Sequence, residues 1–264
     1  MKSFDFEYDG VRLSDKGFII CKFGSYGTET VSNGSNITFN TIATMKGAKY
    51  ELSSVEYGDC LTTTIQICKH PCFSDNKEVS VDESREIMKW LNRKNFHKFK
   101  LIDAEYIDIF FEASFNVNKI ESEGKLVGFE LEVITNRPYA LKEPICILLK
   151  NVVHDGQKRI YSKSDEEGHI YPDMEITIEE DGNFELFNAF EKRTMRIANC
   201  KAGEIIYVKY PIIESSLLEH KIQNDFNWKF FRIAKTFREN INDLKISIPC
   251  TIKMIYSPVV KVGI

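Results

Sequence analysis

Apolar and polar residues alternate at every second position through most of this chain, and the places where the alternation stops mark its organisation. Phe4, Phe6 and Tyr8 alternate with Asp5 and Glu7, and Asp9-Gly10 turns the chain into Val11, Leu13 and the apolar run from Phe18 to Phe23. Residues two apart share one face of a strand, so the pattern predicts a hairpin with one buried face. From Gly24 to Asn36 the chain is rich in Gly, Ser, Thr and Asn, the composition of a long exposed loop. Ile37 to Thr44, Lys49 to Tyr57 and Leu61 to Cys68 then predict three more strands, punctuated by Gly47, Gly58-Asp59 and Pro71.

The period changes once. Ser80 followed by Glu83 forms a capping box, in which hydroxyl and carboxylate satisfy backbone donors that a helix start leaves unpaired. Val81, Ser84, Ile87, Met88 and Leu91 recur at helical spacing behind it, which predicts an α-helix over about 80–94. Phe99 and Leu101, Tyr106 to Phe115 and Leu126 to Thr135 return to strand character, the last two separated by a turn at Gly124. Asn136-Arg137-Pro138-Tyr139 ends this run. Proline cannot donate to a central ladder, so a domain boundary is expected there, with residues 1–139 in one β domain and 140–264 in another.

The second half reads as strand and turn only. Met174 to Ile178 and Phe184 to Phe187 flank Glu180-Asp181-Gly182-Asn183, a hairpin signal, and Met195 to Ala198, Ile205 to Tyr210, Trp228 to Ile233, Leu244 to Ile248 and Thr251 to Tyr256 follow at short intervals. Regularly spaced short strands predict a β-sandwich. The fold class is therefore mainly β, with two β-rich domains and one helix in the first.

Composition narrows the function classes. The chain has 264 residues, 43% hydrophobic and 28% charged, with 7 prolines, which is enough apolar material for packed cores and near the length at which one core gives way to two. A net charge of −4 argues against specific nucleic-acid binding, which favours clustered Lys and Arg. Seven cysteines spread over this length suit free thiols and a reducing cytoplasm better than a disulfide scaffold. The amino terminus lacks the apolar core of a signal peptide, and the run from Ile145 to Val153 is broken by Lys150 and too short for a spanning helix, so no membrane insertion is expected.

Catalytic and metal chemistry is sparse. Cys68-Lys69-His70-Pro71-Cys72, with Cys60 nearby, has zinc-ligand residue types, but one residue separates each pair of ligands and a second paired turn is missing. Asp103, Glu105 and Asp108 are close in sequence, which does not establish the flanking geometry of a glycosidase. His97, His154, His169 and His220 lack a neighbouring nucleophile, and Gly24, Gly27 and Gly34 lack the spacing of a phosphate loop. No catalytic residue, cofactor or metal is expected. Trp90 and Trp228 have the residue type of a sugar-stacking platform, but each borders an apolar face, which favours packing.

The order of several short motifs carries a resemblance. Arg85, then Trp90-Leu91 on the helix, Leu101-Ile102-Asp103 and Arg137-Pro138-Tyr139-Ala140 resemble the phage distal tail protein family, as do Phe4-Asp5-Phe6 and Asp15-Lys16-Gly17-Phe18 at the start. Ile170-Tyr171-Pro172-Asp173-Met174-Glu175-Ile176 and Gly203-Glu204-Ile205 are similar to the family's second domain. The resemblance implies an amino-terminal ring-forming domain and a carboxy-terminal galectin-like or carbohydrate-module-like sandwich. It further implies a homohexameric ring in the virion, assembled in the bacterial host cytoplasm. That ring would join the tail tube protein to the tail-associated hub of the tail tip or baseplate and to receptor-binding proteins. Tyr26, the aromatic member of the 24–36 loop, is the candidate assembly contact. The alternative is a carbohydrate-binding module protein that recognises host-surface glycans through Trp228.

Overall fold

The computed structural model describes residues 3–24, 34–43, 50–72 and 77–263. The chain divides into two compact units, Met1–Lys142 with Val260–Ile264, and Glu143–Val259. Residues 140–142 and 260–264, read from the sequence with the second domain, are thus grouped with the first.

The first unit is built on strands β1 (Phe6–Tyr8), β2 (Val11–Arg12), β3 (Phe18–Cys21), β4 (Ile37–Ala43), β5 (Tyr50–Tyr57), β6 (Thr62–Lys69), β7 (His97–Leu101), β8 (Ile109–Ser122), β9 (Lys125–Thr135) and β10 (Ala140–Lys142), with helix α1 (Val81–Leu91). Its main sheet runs β2-β1-β7-β8-β9-β6-β3, antiparallel at every junction. The register aligns the apolar phase of successive strands. Phe6 faces Leu101, Tyr8 faces Phe99, Phe99 faces Phe111, Phe115 faces Val133, and Leu131 and Phe129 face Ile65 and Ile67. All of these side chains are buried in one core. A slip of one residue at any junction would send that strand's whole apolar set to the opposite face.

Helix α1 covers part of this face. The capping box is formed: Ser80 Oγ accepts from Glu83 N at 3.2 Å and Glu83 Oε2 accepts from Ser80 N at 2.8 Å. Ile87 and Leu91 are buried, and Trp90 stacks on Phe6 with ring centroids 5.7 Å apart while its Nε1 donates to Tyr8 O. Trp90 therefore packs, as its place on the apolar helix face suggests. Thr135, 2% exposed, closes the strand run by donating from Oγ1 to Arg137 O at 2.7 Å.

The second unit contains β11 (Ile145–Val152), β12 (Gly156–Tyr161), β13 (Gly168–Ile170), β14 (Asp173–Ile178), β15 (Gly182–Asn188), β16 (Arg193–Cys200), β17 (Ile205–Lys209), β18 (Ile212–Ser215), helix α2 (Ile222–Asp225), β19 (Ile233–Lys235), β20 (Ile241–Ile246) and β21 (Cys250–Tyr256). A five-stranded sheet, β11-β21-β14-β17-β18, and a four-stranded sheet, β12-β20-β15-β16, share one core. Met174, Ile176, Ile206 and Ile252 come from the first sheet, and Phe184, Leu186, Ile197 and Leu244 from the second. That is a β-sandwich, with alternate residues of each strand turned inward. Strand β22 (Val259–Val260) then pairs with β10, and Val262 packs against the first unit's core.

Candidate assembly and ligand surfaces

Among the described residues, strands β4 and β5 pair only with each other, as a two-stranded ribbon apart from the main sheet. Their register opposes Ile37 to Tyr57, Phe39 to Val55, Thr41 to Leu52 and Ala43 to Tyr50, which gathers every apolar residue of the ribbon except Ile42 on one face. The other face pairs Thr38 with Glu56, Asn40 with Ser54 and Ile42 with Glu51, and Asn40 Nδ2 donates to Ser54 Oγ at 2.9 Å. A ribbon with such a sharp division of faces normally packs its apolar side. Here Phe39 is 62% exposed, Tyr50 68% and Leu52 57%. The base is fixed: Gly58 N donates to Asn36 O at 2.8 Å, and Tyr57 meets Tyr139 edge-on with ring centroids 5.5 Å apart. A two-stranded ribbon is marginal in water without a covering layer. Tyr26, the sequence-based candidate for an assembly contact, lies outside the described residues.

The second unit carries an aromatic surface. Trp228 does not begin a strand as its sequence context suggests. It sits in a loop between α2 and β19 with φ of 57°, in the left-handed region, and is exposed. The Asn227 side chain sets this turn: its Nδ2 donates to Thr194 O at 3.0 Å, and its Oδ1 accepts from Arg196 N at 3.2 Å and Lys229 N at 3.1 Å. Those bonds to β16 use the backbone that an edge strand would need, which is why 228–232 is a loop and regular pairing starts at Ile233. Tyr210, also exposed, lies flat on Tyr171 with centroids 4.1 Å apart and planes 14° from parallel.

The outward face of the five-stranded sheet holds a groove of about 380 Å³. It is lined in part by Asp173, Glu175, Tyr207, Lys209, Glu214 and Lys253. Glu175 stands opposite both Tyr207 and Lys253 in the ladder, and Lys253 Nζ is 3.6 Å from Glu175 Oε2. The floor thus mixes two ammonium and three carboxylate groups with Tyr207 and the apolar side chains of Ile212 and Ile255.

The residues that drew attention as chemistry are dispersed or occupied structurally. Among the described residues no three His, Cys, Asp or Glu side chains converge on a metal-sized site. His70 Nδ1 accepts from Cys72 N at 3.1 Å, closing a local turn. Asp103 caps a short helical turn by accepting from Glu105 N at 3.0 Å. His154 contacts Glu180 and Ser247 O at the surface, and Arg232 Nη1 is 3.5 Å from His169 Nε2. His220, in contrast, is buried against Glu204, a carboxylate with no exposed surface. Sequence reasoning missed Glu204 as a site because its partners, Ser215 and His220, lie 11 and 16 residues away.

Residues 1–137 match a family described as phage tail protein N-terminal domain, and residues 139–256 match one described as phage tail C-terminal domain. The chain belongs to this phage tail protein family. Among solved structures the tail protein is similar to the Dit (gp 19.1) protein of SPP1, described as a paradigm of hub adsorption apparatus in Gram-positive infecting phages. The two share 11% identity and a TM-score of 0.68, over 97% of this chain and 99% of that chain. No curated protein matches the sequence. The distal-tail resemblance read from the residues thus holds at the level of family and fold, and so does the mainly β architecture. As a tail component the protein is a part of the virion.

Proposed function

We propose that this tail protein is a non-enzymatic hub whose copies close into a hexameric ring through the first unit, joining the tail tube to the tail-tip proteins. The observation that carries the reading is the apolar face of the β4–β5 ribbon, which is exposed within a single chain. Its occupant is a neighbouring copy. A closed ring uses two different surfaces on each subunit, so a projecting ribbon that docks on a separate patch of the next subunit is the kind of contact that ring closure requires. The likeness to SPP1 Dit supports the same reading.

The test is the mass of the full chain in solution. The wild type is expected to sediment as a ring of six, and Phe39→Glu with Leu52→Glu to sediment as a monomer with an unchanged far-ultraviolet spectrum. Both positions are exposed in the single chain, so the charges disturb assembly rather than folding. A wild type that stays monomeric at all concentrations, or a double variant that still forms rings, overturns the proposal.

A further inference from the structure

Two cysteines of the first unit are neighbours across a strand pair. In the β3–β6 ladder Cys21 stands opposite Gln66 and Cys68 stands opposite Ile19, which makes the two cysteines diagonal neighbours. Residues two apart on a strand share a face, so both side chains lie on the same side of the sheet. That side is turned away from the core, because Ile20 and Ile67, the residues between them in the alternation, are the ones packed in it. The two thiols are in hydrogen-bond contact. Gly128 of β9 faces Cys68 across the other edge of β6, and the Phe23 ring lies over this glycine. Both cysteines are half-buried, whereas Cys60, Cys72 and Cys146 are exposed. The pair is sheltered without being sealed in the core.

Strand β3 ends the sheet order, with β6 as its laddered neighbour. A covalent link between residues 21 and 68 closes a loop that contains the whole β4–β5 ribbon, and so ties both chain ends of that segment at one point. Diagonal neighbours stand roughly 7 Å apart between Cα atoms, at the upper end of what a disulfide spans. A strand at the end of the sheet order can close that small gap more readily than a central one.

We propose that Cys21 and Cys68 are a site of oxidative modification, forming a disulfide when the virion meets a low-molecular-weight disulfide outside a reducing cytoplasm. The bond does not depend on ring formation. Burial and the adjacent Cys68 sulfur hold Cys21 above the ordinary thiol range, so Cys21 starts as the thiol and the first attack falls to Cys68. The Cys68 thiolate attacks one sulfur of the small disulfide, forming a mixed disulfide and releasing one small thiolate. Cys21 then gives up its proton and attacks the Cys68 sulfur, which forms the protein disulfide and releases the second small thiolate. The two protein thiols lose two electrons and two protons, and the small disulfide takes them up as two small thiols. In a compartment held reducing by small thiols the same exchange runs in reverse, so the pair stays reduced there.

The experiment incubates the native full-length chain with glutathione disulfide over a range of ratios to glutathione, followed by acid quenching and non-reducing peptide mapping. A background of Cys60→Ser, Cys72→Ser and Cys146→Ser removes the exposed thiols, and wild type is run beside it. In both, a peptide joining Cys21 to Cys68 is expected, lighter than its two parts by two hydrogens. The first unit's melting midpoint is expected to rise by about 5 °C or more on oxidation and to return with dithiothreitol. Cys21→Ser on the same background is expected to stop at the glutathione adduct of Cys68, which reads the order of the two steps. Unreacted thiols at every ratio, glutathione adducts on both sulfurs, or a bond that forms only in urea each overturn the proposal. Joining of Cys68 to Cys60 or Cys72 in the wild type in place of Cys21 overturns it as well.

Discussion

Glu204 and His220 are joined by a 2.6 Å hydrogen bond, imidazole Nδ1 to carboxylate Oε1, with the Glu204 side chain 0% and the His220 side chain 6% exposed. Glu204 also accepts from Ser215 Oγ at 2.5 Å and from Lys201 N at 2.9 Å. The remaining imidazole nitrogen, Nε2, is 3.3 Å from Asp225 Oδ2 but off the hydrogen-bond direction. The network ties the start of β17 to the segment before α2.

Removing His220 takes one of three hydrogen-bond partners from a carboxylate that has no exposed surface. His220→Leu is therefore expected to destabilise the second unit by roughly 3 kcal/mol, read from the urea midpoint. Adding Glu204→Leu to His220→Leu should cost less than the two single changes combined, because no buried carboxylate is then left short of a hydrogen-bond partner. Strictly additive losses would show that the two side chains act independently.

Gly128 on β9 lies where a methyl group cannot. A Cβ there would stand 2.3 Å from Ile67 O and 2.7 Å from the Phe23 ring. The ring could swing outward, but the carbonyl belongs to the β6–β9 ladder and cannot. Gly128→Ala should destabilise the first unit by about 2–3 kcal/mol in a denaturant titration. A neutral result would mean that β6 and β9 are more widely spaced than described.

Stability should fall on the acid side through groups that can be named. The Arg93 hydrogen bond holds the Asp9 carboxyl below its ordinary 3.8, and the Ala202 backbone and Lys201 side chain do the same for Asp181. Glu83 is pushed upward by burial, but hydrogen bonds from Lys69 and Ser80 outweigh this and leave it below 4.5. A carboxyl with a lowered folded value stabilises the fold fully above its ordinary value, and that contribution is lost as pH falls through the lowered one. Glu83→Gln should flatten the acid limb of a plot of melting midpoint against pH. His154 has the opposite sign. Hydrogen bonds to Glu180 and Ser247 raise it above 6.5, so its contribution is full below 6.5 and disappears as pH climbs past the raised value. Glu180→Gln should remove that part of the profile.

The thiols should divide by burial. Desolvation pushes Cys200 and Cys250 up to about 12, and both are buried, whereas Cys60, Cys72 and Cys146 are exposed. Since the thiolate is the reacting species, a colorimetric thiol reagent at neutral pH should modify the exposed three in the native protein. Cys200 and Cys250 should react only after unfolding. Mass mapping of modified peptides checks this, and rapid native labelling of Cys250 would place its strand nearer solvent than described.

The parts of the fold that could be read from the sequence are those with local causes. The Ser80–Glu83 capping box lies within four residues, and the strand alternation from Phe4 to Tyr8 or Met174 to Ile178 is a property of each segment alone. The candidate surfaces depend on distant residues. Strict alternation would put Leu52 and Val55 on opposite faces; a bulge in the β4–β5 ladder brings both to the face of Phe39, and no local pattern states whether anything covers that face. Trp228 through Ile233 reads as a strand because the apolar pattern fits one, and only the Asn227 bonds to Thr194 and Arg196, over thirty residues back, convert it to a loop. Strands such as β11 and β12 were hidden for a related reason. Lys150 interrupts an apolar run in the first, and charged residues dilute the second.

The return of Val260–Ile264 to the first unit has a consequence for how the chain is made. Tyr106 donates its hydroxyl to Gly263 O at 3.2 Å, and Val262 lies against a core otherwise built from residues before 143. On the ribosome the first unit must therefore wait for the whole sandwich to be translated before its last pieces arrive, a delay on the order of ten seconds at bacterial elongation rates. During that interval the helix and main sheet can form but remain open at one place. Ribosome-stalled chains ending before residue 260 should accordingly be more sensitive to protease in the first unit than released ones.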